Sequence, residues 1–177
     1  MRLSELMQGK TPDTAYEGWV TADDWVLAIN TTPGTDTAVE NYAVVQMGIE
    51  GLDAQLNPVT SEKTYIRAGK STLKTGTARS FAVSGDRYVG DEAQDYMLSH
   101  AVKYGRGNGV ITDYVYFCIL NGHGEKGQVS IIVNTESGGN AEESSTVDIQ
   151  LSKVGKEPEE YTYSVTQAAA QDSEQEA

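Results

Sequence analysis

Histidine and cysteine are nearly absent from this 177-residue chain, with two of the first and one of the second. No His-x-x-x-His or Cys-x-x-Cys spacing occurs, so a zinc centre would have to gather carboxylates from unrelated loops. His100 is therefore expected to pack along a helix and His123 to sit solvated in a loop. Cys118 has no partner for an internal disulfide, and inside the apolar run Val115 to Leu120 it reads as a buried, inert thiol. Basic residues are also scarce, with 13 Lys+Arg against 26 Asp+Glu, a formal charge of -13 and a pI of about 4.4. That balance argues against a surface that holds nucleic-acid phosphates. No run approaches the roughly 20 apolar residues of a membrane span, and Met1 to Lys10 lacks the apolar stretch of a signal peptide. The expectation is a soluble protein without a membrane anchor, made in a cytoplasm.

Catalytic motifs are missing as well. There is no Gly-x-Ser-x-Gly elbow. The glycine-rich Gly105 to Gly109 follows a helix instead of opening one, so it lacks the setting of a phosphate cradle. Asp86 to Asp95 lacks the alternating ligands and closing glutamate of a calcium loop, and its acids read as caps. The adjacent pairs Asp23-Asp24, Glu142-Glu143 and Glu159-Glu160 point to opposite sides if extended. No catalytic, cofactor-binding or metal-ligating residue is assigned, and an enzyme is not expected.

What the chain does have is β-forming pattern around a single good helix. Tyr supplies 10 of its aromatic residues, and tyrosine suits half-buried strand faces and subunit interfaces. Residues 1–165 read as one domain that opens on an N-terminal arm, and 166–177 as a flexible acidic tail with nothing to pack. Strands are predicted over Asp24–Asn30 and roughly Glu40–Met47. The stretch 48–69 reads as a long polar loop, in which Leu52, Leu56, Val59 and Tyr65 are scattered as if to dock on something. Thr72–Val83 then alternates with period two, and Ser84-Gly85-Asp86 reads as a turn. A helix is predicted from the cap Asp91 to Tyr104, with Ala93, Tyr96, Met97, His100, Ala101 and Tyr104 on its packed stripe. Asp113–Leu120 and Gly127–Asn134 flank a glycine-rich hairpin loop. The cleanest alternation sets Val147, Ile149 and Leu151 against Asp148, Gln150 and Ser152, and a last one involves Tyr161, Tyr163 and Val165.

The order of these elements carries a resemblance. The helix Asp91–Tyr104, the strand Val115–Leu120, the glycine-rich hairpin, the strand Val129–Val133, a polar loop and the closing strand Thr146–Gly155 with its Val-Gly pair resemble the C-terminal half of a bacteriophage major tail tube protein. The likeness extends over about Asp24 to Lys156. It implies a mainly β fold, a β-sandwich with one flanking α-helix whose strands form a β-barrel lumen across a hexameric ring. It also implies a structural virion protein of the phage tail, whose stacked rings are a conduit for double-stranded DNA that passes without specific binding. Partners implied are the tape measure, tail tip and terminator proteins. The inner tubes of contractile tails, bacteriocins and related injection machines share the fold and remain alternatives. A carbohydrate-binding β-sandwich is a more distant one, with Trp19 and Trp25 as candidate platform residues.

On this reading Leu52, Leu56, Val59 and Tyr65 are candidate ring-to-ring contacts, and Asp148 and Gln150 are candidate lumen-facing residues. The alternation puts the latter opposite the core-facing set but leaves open whether they meet the lumen or outer solvent. Six copies at -13 amount to about -78 per ring, a charge that would repel phosphates if even part of it faced the channel.

Overall fold

The computed structural model describes residues 1–164, so the expected acidic tail lies outside the described residues. Among the described residues ten strands and three short α-helices follow in the order α1 (Leu3–Met7), β1 (Trp25–Ile29), β2 (Ala43–Val44), β3 (Ile49–Gln55), β4 (Pro58–Tyr65), β5 (Gly69–Thr77), β6 (Ser80–Asp86), α2 (Glu92–Met97), α3 (His100–Lys103), β7 (Ile111–Cys118), β8 (His123–Gly138), β9 (Thr146–Lys153) and β10 (Glu159–Thr162). The fold is mainly β, as expected.

Eight strands form one antiparallel sheet in the order β2-β1-β7-β8-β9-β6-β3, with β10 paired to the first part of β8. Its two edge strands, β2 and β3, are neighbours in sequence, joined only by residues 45–48. Five Cα steps span at most about 18 Å, so the sheet has to curl until its edges approach each other, and it forms a half-barrel. The strands expected to make a sandwich thus lie along a single hydrogen-bonded path. The long strand β8 makes this possible by pairing β10 with residues 123–126 and β9 with residues 129–138.

Strand alternation assigns the two faces. Leu27, Ile29, Phe81, Val83, Val129, Ile131, Val147, Ile149 and Leu151 point to one side and are buried beneath α2 and α3, with Ala93, Met97, Leu98 and Val102. Each large side chain so buried contributes about 2 kcal/mol of transfer free energy. The other face of β1 and β7 carries a second, smaller core: Val26, Ala28, Val115 and Phe117 meet Leu3 and Met7 of α1, together with Tyr42 and Tyr163.

Several sequence expectations are corrected. The stretch 48–69 is not a loop: it contains β3, the last strand of the main sheet, and β4, which pairs only with β5 in a separate two-stranded hairpin. Its dispersed polar residues obscure the strands because the hairpin is exposed on both faces, which removes the usual alternation. Thr72–Val83 is likewise broken at Ala78-Arg79, where the chain passes from the hairpin into the body. Ser84-Gly85-Asp86 continues β6 instead of turning.

The predicted helix divides as well. Asp91 caps α2 by accepting from the Gln94 N–H at 2.9 Å, but Ser99 restarts the helix, and its Oγ accepts from Val102 N–H. The restart rotates the buried stripe onto Leu98 and Val102, which leaves His100, Ala101 and Tyr104 exposed instead of packed. Gln94 itself is buried, because its side-chain amide donates to the carbonyls of Met47 and Asp86 and its oxygen accepts from Tyr88 N–H. The N-terminal arm is ordered, and its helical turn buries Leu3 and Met7 one turn apart.

Candidate functional site

Two surfaces stand out, and the sheet register builds the first. Across β3, β6, β9 and β8, directly opposed residues share a face, so three rows can be read off the pairing. The first is Gly51, Ser84, Asp148 and Thr135; the second is Asp53, Ala82, Gln150 and Ile132; the third is Gln55, Ser80, Ser152 and Ser130. The pair Asp86 and Thr146 extends this face at one end. Its residues are small, neutral or acidic, and these rows contain no lysine or arginine. Asp53, Asp148 and Gln150 are exposed, while Val147, Ile149 and Leu151 are buried on the opposite side, as the alternation predicts. The structure thus brings Asp148 and Gln150 together with Asp53 and Asp86, which sequence reading missed. Strand pairing is what shows that β3 joins this face, since the alternation of Leu52 and Ala54 against Asp53 and Gln55 is too short to announce it.

The second surface is the β4–β5 hairpin. Val59 and Tyr65 are exposed on it, as are Ile66 and Leu73, and Leu56 is exposed just before it. Arg67 and Gly69 take left-handed backbone at its tip, which places Ile66 at the far end, 93% exposed. Leu52 does not belong to this surface, because in β3 it packs against the main core. Its distance in sequence from Leu56 is small, yet the strand has left the body between them.

Tyrosines account for much of the packing around both cores. The Tyr161 and Tyr163 rings pack on Phe117 at 5.8 and 5.6 Å, and the Tyr116 ring stacks on Trp25 at 5.0 Å. Trp25 is thus half-buried in the aromatic packing, whereas Trp19 stands in solvent at 96% exposure. The two do not form one platform. Burial, helped by the Asp113 carboxylate, pushes the Tyr42 hydroxyl up to about 12, against opposition from its hydrogen bond with Asn30. Burial also raises Tyr114, with Glu125 adding to it, and Tyr161, with Glu40 adding to it.

A tyrosine whose folded-state pKa lies above its unfolded value of 10.0 stabilises the fold fully below pH 10, and that contribution is lost as pH rises through 12. For Tyr42 alone this amounts to about 3 kcal/mol. Denaturant unfolding followed between neutral pH and pH 12 should show a stability plateau that falls only above pH 10. Tyr42→Phe, which cannot ionise, should shallow the fall.

A cleft of about 560 Å³ lies where the open polar face meets the second core, between Tyr42, Asp113, Gln128, Lys126, Lys156 and Glu159. Its charges are of both signs, and several are partnered: Gln128 donates to Asp113 at 2.9 Å, and Lys126 lies 3.9 Å from Glu159. Among the described residues no group of three or more His, Cys, Asp or Glu is placed to hold a metal ion, and no buried side-chain polar atom lacks a hydrogen-bond partner. Cys118 is buried, as expected. No described helix is long and apolar enough to cross a membrane.

No family model matches the chain, and no curated protein matches it in sequence. Solved structures do. A chain in the tail of an empty gene transfer agent particle, computed with helical refinement in C6 symmetry, superposes with a TM-score of 0.55 at 10% identity, over 82% of this chain and 100% of that one. A chain of the native gene transfer agent virion gives 0.52 at 10% identity, with the same coverage. A chain of the sheath–tube complex of an extracellular contractile injection system in its extended state gives 0.50 at 10% identity, over 84% of this chain and 95% of that one. The fold is that of the tail tube proteins, shared by virion tails and contractile injection systems.

Proposed function

We propose that the chain is the structural subunit of a phage tail tube: copies close into hexameric rings, the rings stack, and the stack conducts double-stranded DNA into a host without binding it. The observation that carries this reading is the part of the open sheet face formed by the three rows across β3, β6, β9 and β8, which carries Asp53 and Asp148 and no basic side chain, on a tail tube fold. A conduit must not hold its cargo, and a wall that repels phosphates meets that need. Asp148 and Gln150, joined by Asp53, would face the lumen. Leu56 beside the hairpin and Val59 and Tyr65 on it would contact the next ring, and Leu52 leaves that set because it packs against the main core.

The role is structural and not enzymatic, and the place of action is the virion tail, in contact with tape measure, tail tip and terminator proteins. The inner tube of a contractile injection machine is the second reading, supported by the similarity to the sheath–tube complex. Negative-stain electron microscopy of the purified chain at high concentration should show rings and tubes with six-fold end views. Monomers alone in sedimentation, across salt and concentration, would overturn the proposal.

A further inference from the structure

The junction between the body and the hairpin is held by two side chains, one on each strand that crosses it. On the outgoing strand Asn57 has a left-handed backbone with φ 42°. Its side-chain amide donates to the Ala78 carbonyl at 3.1 Å and to Ser80 Oγ at 2.8 Å, so both of its N–H groups tie the returning strand. On that returning strand Arg79 is 6% exposed, and its Nε donates to Glu125 Oε1 on β8 at 2.6 Å. The guanidinium lies 4.5 Å over the Phe81 ring and 5.2 Å from the Tyr116 ring. Glu125 Oε1 also accepts from the Tyr114 hydroxyl at 3.0 Å, and the Arg79 carbonyl accepts from Lys153 N–H at 2.8 Å.

A guanidinium buried this deeply is poorly explained by stability. Desolvating the pair is costly, and a packed apolar residue would serve a core as well or better. What the pair does supply is direction. Arg79 sits where β5 would otherwise run straight into β6, and it pins that point to three different strands of the body. The hairpin beyond it pairs with no other strand.

We propose that Arg79, together with Asn57, is a positioning clamp that sets the angle at which the hairpin leaves the body, so that it reaches a neighbouring copy already aimed. This rests on the self-assembly reading above only for its consequence. The clamp itself is a property of the single chain and is measured there.

The test replaces Arg79→Met together with Glu125→Gln, which removes both charges without stranding one and keeps an acceptor for Tyr114. A second variant, Asn57→Gly, keeps the left-handed backbone at no steric cost and removes the amide. Spin labels at Ile66→Cys, on the hairpin tip, and Ala101→Cys, on the exposed side of α3, report the hairpin direction by pulsed electron paramagnetic resonance. Cys118 is buried and does not compete for label.

The otherwise native dilute chain should give one narrow distance distribution. Either clamp variant should broaden it about twofold, with the thermal midpoint moving by less than about 5 °C. The protein concentration at which tubes appear should rise about tenfold. An unchanged distribution in both variants overturns the clamp, and so does broadening accompanied by loss of the folded baseline in both. Broadening with an unchanged tube threshold overturns its role in assembly. If the intact chain never assembles, the self-assembly reading fails, and the distance measurement still decides the clamp.

Discussion

A chain in which Pro58–Thr77 is replaced by a short glycine-rich turn should fold normally and remain monomeric at concentrations where the intact chain forms tubes. The hairpin pairs only with itself and contributes no residue to either core. Its base is already closed, since Ala78 N–H donates to the Asn57 carbonyl at 3.1 Å, so a short turn can bridge the cut ends. Removal therefore costs the body little, and the circular dichroism and thermal midpoint should stay within about 5 °C of the intact chain. Assembly is another matter. A two-stranded ribbon is marginal in water by itself, and this one exposes Val59, Tyr65, Ile66 and Leu73, a concentration of apolar surface that marks a contact site. Sedimentation and electron microscopy read the outcome. Tubes at the normal threshold would show that the hairpin does not join rings. Deleting only 54–63 is a poorer test, because it removes the end of β3 and most of one strand of the hairpin together.

Where alternation had a wet and a dry side, the sequence was legible. Val147, Ile149 and Leu151 are buried and Asp148 and Gln150 exposed because β9 lies mid-sheet with a core on one side and an open face on the other. Asp91 capped its helix because a side-chain acceptor three residues before a free N–H is a local arrangement. The hairpin was hidden for the converse reason: with solvent on both faces, β4 and β5 have no period to display. The break at Leu98-Ser99 was hidden because Ser99 competes for Val102 N–H through its own Oγ, an effect of one side chain within an otherwise continuous helical stripe. Nothing in the sequence around Arg79 singles it out. Its burial depends on Glu125, Phe81 and Tyr116, which only the pairing of β6, β7, β8 and β9 brings around it. The face shared by Asp53 and Asp148 is likewise a fact of register, with the two residues separated by β6 in the sheet and by most of the chain in sequence.

Replacing both Asp53→Lys and Asp148→Lys should leave tube assembly intact and make the channel hold DNA. Both residues are exposed, and neither makes a side-chain hydrogen bond or ion pair among the described residues. Substitution should therefore change monomer stability by no more than about 0.5 kcal/mol each. Each swap moves the charge by two per subunit, so a six-membered ring would gain about 24 positive charges on its inner wall if this face lines it. Phosphates would then exchange counterions for fixed lysines as DNA passes, and the resulting attraction weakens steeply with salt. In particles assembled with the variant, DNA release should slow by about tenfold or more at low salt and recover as salt is raised. The control is Glu142→Lys in the loop between β8 and β9, which lies off the rows of this sheet face and should leave release unchanged. Equal slowing by the control would mean that total charge matters and the face does not. Normal release from the double variant at every salt concentration would place Asp53 and Asp148 outside the channel.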